Sequence, residues 1–209
     1  MRQHVNPLSN FFKDIKPIPP LNEIFLNPDK PLHIDIGSGS GEFLINLAMQ
    51  NKYWNYLGLE IREKLVLNAK SKIDQESIEN LFFVFGNANN LIEDCIGKFN
   101  KDVLKSVSFN FPDPWFKKRH HKRRVIQPEL IDNISQLMTS GGLIYIKSDV
   151  AELFTYMDLS IIKSSDFISY NNKNNASSRC YNPNNSKTNR EKYVIQRNLQ
   201  IYERIYQKI

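Results

Sequence analysis

Cysteine is almost absent from this sequence. Cys95 and Cys180 stand far apart, with no CxxC spacing. That excludes a disulfide scaffold and provides no zinc-type ligand set, so both thiols are expected to be reduced and structural, and no metal is expected. Long apolar runs are missing too, since nothing approaches the roughly 18 residues of a membrane span. The opening stretch MRQHVNPLSNFFKDIKPIPP has no apolar core of the secretory type, so a cytoplasmic location and no membrane partner are expected. There is no internal repeat. What remains is the composition of a globular protein: 209 residues, 41% hydrophobic, mean hydropathy -0.47, enough chain to bury a real core as one domain.

Charge is distributed unevenly. The net charge is a modest +6, but six Lys/Arg and two His fall in one block, Lys117–Arg124. A clustered cation patch suggests a polyanion partner, such as a nucleic acid or a membrane surface.

Residues 1–30 carry Pro7, Pro17, Pro19, Pro20 and Pro28 and read as an irregular arm lying on the body or on a partner. From there the pattern alternates. LHIDIG (32–37), YLGLEI (56–61), LFFVFG (81–86), SVSFNF (106–111) and LIYIKS (143–148) read as strands, with TSGG (139–142) a turn before the last. Helical spacing occupies 41–50, 62–73, 89–99 (capped by Asn89 or Asn90), 127–138 and about 149–162. Strands that are near-continuous apolar runs between helices predict a parallel sheet covered on both faces, an α/β Rossmann-like domain over 31–209. QIYERIYQ (200–207) predicts a final strand. The Asn-rich segment 171–189 reads as a flexible loop.

The first strand ends in DIGSGSG (35–41). Gly37 and Gly39 let a ligand approach the backbone closely, beside the free N–H groups of a helix start. The spacing is GxGxG, with Glu42 where the dinucleotide fingerprint wants Gly or Ala, and no phosphate-binding Lys follows. Asp35 in a buried strand needs a cation or donors to satisfy it. Glu60 ends the second strand about twenty residues on, where acids hold ribose hydroxyls. An adenosyl ligand without phosphate suits this set, and S-adenosylmethionine adds a sulfonium and an ammonium. Asn87 could meet an adenine edge or simply cap a helix.

The fourth strand runs into FNFPDPWFKKRHHKRR (109–124). Prolines on both sides limit Asp113 to extended backbone, holding its carboxylate at the same sheet edge as Asp35 and Glu60. NFPDPWFKKRHHKRR resembles the signature of the bacterial tRNA (guanine-N7-)-methyltransferases, class I S-adenosylmethionine enzymes acting on guanine 46 of the tRNA variable loop. The likeness continues at KSD (147–149) and TNREKYV (188–194), and RQHVNPL (2–8) resembles the arm of the cyanobacterial and plant branch. The resemblance implies a mostly parallel seven-stranded sheet with helices on both faces. It implies S-adenosylmethionine contacts at Asp35, Gly37, Gly39, Glu60, Asn87 and Asp113, with Asp113 the candidate catalytic residue. It implies tRNA contacts at Lys117, Asp149, Thr188, Arg190 and Glu191. The chain departs from the family at Asn87, where Asp is common, at Phe116, where His or Pro is frequent, and at Ser148, where Thr is usual.

Guanine N7 carries a lone pair and no proton, so methylation there is an in-line displacement that mainly requires positioning. A carboxylate near the developing charge favours it. Lys118, Arg119, Arg123 and Arg124 are expected to track phosphates and bring tRNA to the pocket. His120 and His121 receive no role, and Trp115 suits either base stacking or a core position. Rival readings are an amino-group nucleic-acid methyltransferase, whose motif NFPDPW does not match, and a non-catalytic RNA-binding protein on the same fold. No obligate protein partner is expected, and the family includes both monomers and dimers.

Overall fold

The strands form because Val, Ile, Leu and Phe run almost without break through five short segments, and only a sheet covered on both faces buries such runs. The structure, a computed structural model, describes residues 5–13, 17–100, 102–170 and 186–209. β1 (Leu32–Ile36), β2 (Asn55–Glu60), β3 (Leu81–Phe85), β4 (Leu104–Asn110) and β5 (Met138–Ser148) pair in parallel. β6 (Phe167–Ser169) and β7 (Tyr202–Lys208) complete a seven-stranded sheet of order β3-β2-β1-β4-β5-β7-β6, with β7 antiparallel to both neighbours. The expected Rossmann-like α/β sheet is therefore present. The chain order reverses between β1 and β4, the place where such sheets open a crevice at the carboxyl ends of their strands.

Two apolar layers sandwich the sheet. On one face α2 (Glu42–Gln50) and α3 (Glu63–Glu76) bury Phe43, Leu44, Leu47, Val66 and Ala69 against Tyr56 and Phe83. On the other, α4 (Ala88–Glu93), α5 (Pro128–Leu137) and α6 (Ala151–Ile162) set Leu91, Ile92, Leu130, Ile134, Leu153 and Met157 against Ile34, Leu57 and Val107. Residues 17–30, with the short helix α1 (Leu21–Ile24), join this second layer. Ile18, Leu21 and Phe25 are core residues, so the proline-bearing arm lies on the body as structure in its own right. Among the described residues no helix is long and apolar enough to cross a membrane.

Several local readings change. The cap of α4 is Asn87, whose side chain accepts from the Asn89 N–H at 3.1 Å, not Asn89 or Asn90. TSGG lies within β5 as an irregularity. Leu104 pairs with Met138 and Ser106 with Leu143, so residues 139–142 bulge out opposite Lys105. The helix α7 (Asn189–Gln196) begins where a loop was expected, capped by the Thr188 side chain accepting from the Glu191 N–H at 3.0 Å. Most of the expected Asn-rich loop (171–185) and Cys180 lie outside the described residues, as do positions 2–4 of the arm motif.

One glycine inside β2 is needed for packing. A Cβ at Gly58 would lie 2.3 Å from Phe83 Cδ1 and 2.9 Å from Ser38 Oγ, and Phe83 is fully buried. Gly58→Ala should therefore overpack the sheet beside the glycine loop and lower the unfolding free energy by about 1–3 kcal/mol. Urea unfolding would show a lower midpoint at unchanged slope.

Candidate active site

The crevice between β1 and β4 opens into a cavity of about 530 Å³, within the range of small-ligand sites. Asp35, Gly37, Gly39, Glu60, Asn87 and Asp113 all line it, together with Thr188, Arg190 and Arg123. The structure thus brings every residue expected at the cofactor to one cavity.

The floor is the glycine loop. Gly37 and Gly39 have φ of +83° and +59°, and a Cβ on either would meet nothing within 4 Å. Their backbone is therefore open to the cavity, a cradle suited to a ligand. The loop is tied to β2 by Gly37 N–H and Ser38 N–H donating to the Leu59 carbonyl at 2.8 and 3.1 Å.

Asp35 is only 2% exposed. Ser108 Oγ donates to its Oδ1 at 2.5 Å and Asn110 Nδ2 at 3.0 Å. Burial nonetheless pushes its carboxyl up from 3.8 to about 6, against those two hydrogen bonds and with help from nearby Glu60. Behind Ser108 lies His33, which contacts Ser108 Oγ through Nε2 at 3.0 Å and Ser106 Oγ through Nδ1 at 2.8 Å. Burial lowers His33 to about 3, so the ring is neutral and has one N–H to give. With Asp35 ionised, Ser108 donates to it, His33 Nε2–H donates to Ser108, and Ser106 donates to Nδ1. The chain of donors runs toward the carboxylate. Reading SVSFNF as a continuous apolar run missed this. Ser106, Ser108 and Asn110 alternate with Val107 and Phe109, a period of two that puts a polar line opposite His33 and Asp35.

Glu60 is also buried, at 2% exposure. Its carboxylate accepts from Gly39 N–H at 2.8 Å, from Arg62 N–H at 3.0 Å, and from the Arg62 guanidinium at 2.8 and 3.0 Å. Arg62 was not expected at the site. Its hydrogen bonds to Glu60 raise its already high pKa, and the charge of Asp113 adds to that. Its signal in the sequence was simply its place two residues beyond a strand-ending acid.

Asp113 sits on the loop leaving β4. Phe111 and Trp115, on either side of Pro112-Asp113-Pro114, take φ of +51° and +46°. Left-handed backbone at bulky residues costs of order 1–3 kcal/mol each and concentrates at functional sites. The arm closes the opposite side. Val5, Pro7 and Leu8 line the cavity, Asn87 Nδ2 donates to the Pro7 carbonyl at 3.0 Å, and Asn90 Nδ2 donates to the Phe12 carbonyl at 3.0 Å.

The cation block forms a 3₁₀ turn, Lys118–Arg123. Lys117, Lys118, Arg119 and Lys122 are exposed. The Arg123 guanidinium lies 5.2 Å from the Trp115 ring, whose edge meets His120. Arg124 corrects an expectation. It is 3% exposed and bonded inside the protein, so it is a structural cation and not one of a row facing phosphates. Of the expected tRNA contacts, Thr188 and Arg190 reach the cavity. Asp149 lies behind Arg190 as its ion-pair partner. Glu191 is 4% exposed and paired with Lys147 at 2.8 Å, off the cavity wall. These two ion pairs dock α7 onto the end of β5.

Asp35 sets a cost that can be measured. Its native carboxyl keeps a proton to about pH 6 that the unfolded chain loses near 3.8, so its contribution to stability is lost as pH rises across that window. Asp35→Asn should therefore raise the unfolding free energy at pH 8 by about 1–3 kcal/mol and leave it nearly unchanged at pH 4, as read by urea unfolding at both pH values.

Comparison with known proteins bears on this geometry. A family model described as "Putative methyltransferase" matches residues 29–204. A tRNA (guanine-N(7)-)-methyltransferase of Prochlorococcus marinus subsp. pastoris (strain CCMP1986 / NIES-2087 / MED4) is 56% identical over 211 residues, covering 100% of both chains. One from Prochlorococcus marinus (strain MIT 9313) is 42% identical over 100% of this chain and 88% of its own. Among solved structures, an antibiotic-related methyltransferase is 18% identical with a TM-score of 0.60 over 90% of this chain and 92% of that one. An rRNA methylase from Streptococcus thermophilus is 16% identical with a TM-score of 0.53 over the same shares. At those identities the likeness is one of fold. With full-length identity of this order, the chain belongs to the tRNA (guanine-N(7)-)-methyltransferase family.

Proposed function

We propose that the chain transfers the methyl group of S-adenosylmethionine to N7 of guanine 46 in the tRNA variable loop, giving 7-methylguanosine. The observation that carries this reading is Asp113. It is held between two left-handed residues at the wall of a cavity that also contains Asp35 and Glu60, with exposed cations following it in the chain.

S-adenosylmethionine supplies an electrophilic methyl on a sulfonium. The protein supplies the rest. The open glycine backbone receives the adenosyl portion while Glu60 holds that loop through the Gly39 N–H, Asn87 stands on the adenine side, and ionised Asp35 faces the cationic portion. The N7 lone pair forms the new N–C bond as the C–S bond breaks and its electron pair goes to sulfur. Positive charge then appears on the guanine, and the Asp113 carboxylate stabilises it from a fixed position without reorganising. No proton is removed from N7. Thr188 and Arg190, on the same cavity, hold the base. Lys117, Lys118, Arg119 and Lys122 contact phosphate.

Label from S-adenosylmethionine should enter an unmodified transcript and be recovered as 7-methylguanosine, and should not enter a transcript with adenine at that position. Label in both would reject the target, and cofactor binding without label would reject the reaction. Asp113→Asn should reduce the single-turnover rate by at least about 10²-fold while leaving cofactor affinity near the native value.

Two binding measurements follow. Cofactor affinity should be flat above pH 7 and fall below about pH 6, because a protonated Asp35 no longer attracts a cation. Replacing any one of Lys117, Lys118, Arg119 or Lys122 by Ala should weaken tRNA binding and reduce the slope of log K against log salt by about 1.

A further inference from the structure

Arg124 ends the run of cations, yet it points inward. Its Nε donates to the Pro114 carbonyl at 2.9 Å, and its Nη2 donates to Glu152 Oε1 at 2.7 Å. The same Nη2 lies 3.0 Å from His121 Nε2. The guanidinium carbon lies 4.7 Å from the Tyr156 ring centre. Glu152 and Tyr156 both belong to α6, and the Tyr156 hydroxyl donates to the Ile126 carbonyl at 2.9 Å. One buried side chain thus joins the loop after β4 to a helix packed on the sheet.

The loop needs such a tether. Pro112 and Pro114 have no N–H, so the segment has few donors with which to fix itself. On the sheet side, Phe111 N–H donates to the Lys147 carbonyl at 2.8 Å. On the far side, the Pro114 carbonyl receives Arg124. These two hydrogen bonds bracket Asp113. The left-handed backbone at Phe111 and Trp115 persists only where surrounding contacts hold it. A guanidinium suits the task because its planar fork offers Nε and Nη2 in fixed directions while its face stacks on an aromatic ring, which an ammonium cannot do.

We propose that Arg124 is a positioning residue for methyl transfer: it sets the Asp113 carboxylate by gripping the Pro114 carbonyl while braced against Glu152 and Tyr156 of α6. This rests on the role given to Asp113 above. The cation block then divides by function. Its exposed members meet RNA, and its last member holds the catalytic loop.

The test is Arg124→Lys, which keeps the charge and removes the fork. Single-turnover methylation would be measured at saturating tRNA and S-adenosylmethionine and expressed per cofactor-binding site, so that misfolded protein does not count. The expected result is a fall of about 10–10²-fold, the effect of displacing a reacting group by about 1 Å. Cofactor affinity and the salt slope of tRNA binding should match the native protein. A native single-turnover rate would overturn the proposal, since the lysine keeps the charge and lacks only the fork. Should Arg124→Lys fail to fold, Glu152→Ala, which removes the acceptor of Nη2 on the solvent side of the brace, decides. A smaller fall in the same step supports the brace, and a native rate overturns it. Asp113→Asn separates the two readings. Its loss of rate beside an unimpaired Arg124→Lys overturns the brace alone, whereas a native rate for Asp113→Asn overturns the role of Asp113 and the brace with it.

Discussion

Three carboxylates meet at the carboxyl edge of one sheet, two of them nearly withdrawn from water. Buried ionised acids are costly unless donors or cations surround them, and much of the local structure answers that cost. Asp35 receives a line of donors running from Ser106 through His33 and Ser108, with Asn110 beside it. Glu60 is filled by Gly39 and Arg62. Arg62 is the shared counter-charge, since it also senses Asp113. Asp35 remains incompletely offset, as its raised carboxyl shows. The protein carries that residual cost as lost stability above about pH 6.

The framework around these acids is tied down at few points, each of them specific. The glycine loop hangs on the Leu59 carbonyl, the loop of Asp113 is bracketed by Lys147 and Arg124, and the arm is held by two asparagine amides. The arm contacts depend on donors. Asn87 gives one N–H to Pro7 while its oxygen caps α4. An aspartate in its place could cap the helix but could not donate to the arm, so the amide of Asn87 is what serves both contacts. Phe11 and Phe12 add ring contacts with Phe85 at 6.1 Å, so the arm is seated by packing as well as polarity.

The fold was legible because apolar runs and helical stripes are local properties with periods of 2 and 3.6 residues. The same local logic explains the misreadings. β6 has three residues, too few for any periodicity to register. α7 is eight residues of largely polar chain and is fixed by Lys147 and Arg190 ion pairs that no spacing reveals. The bulge at 139–142 contains good turn residues, and the sheet absorbs them because Met138 still pairs with Leu104.

The sequence by itself determined the parallel α/β order, the placing of Asp35, Glu60 and Asp113 at or just past strand ends, the glycine cradle between them and the presence of a cation block beside the loop of Asp113. All of these follow from neighbours along the chain. Only the tertiary structure decided which cation turns inward, that Arg62 answers Glu60, that His33 and Ser108 stand behind Asp35, and that the arm closes the cavity. Those outcomes depend on register between strands distant in sequence, such as Asp35 beside Ser108 and Gly58. Composition and spacing do not encode register, whereas the pairing of polar side chains does: a one-residue slip would turn Ser106, Ser108 and Asn110 to the face away from His33 and Asp35.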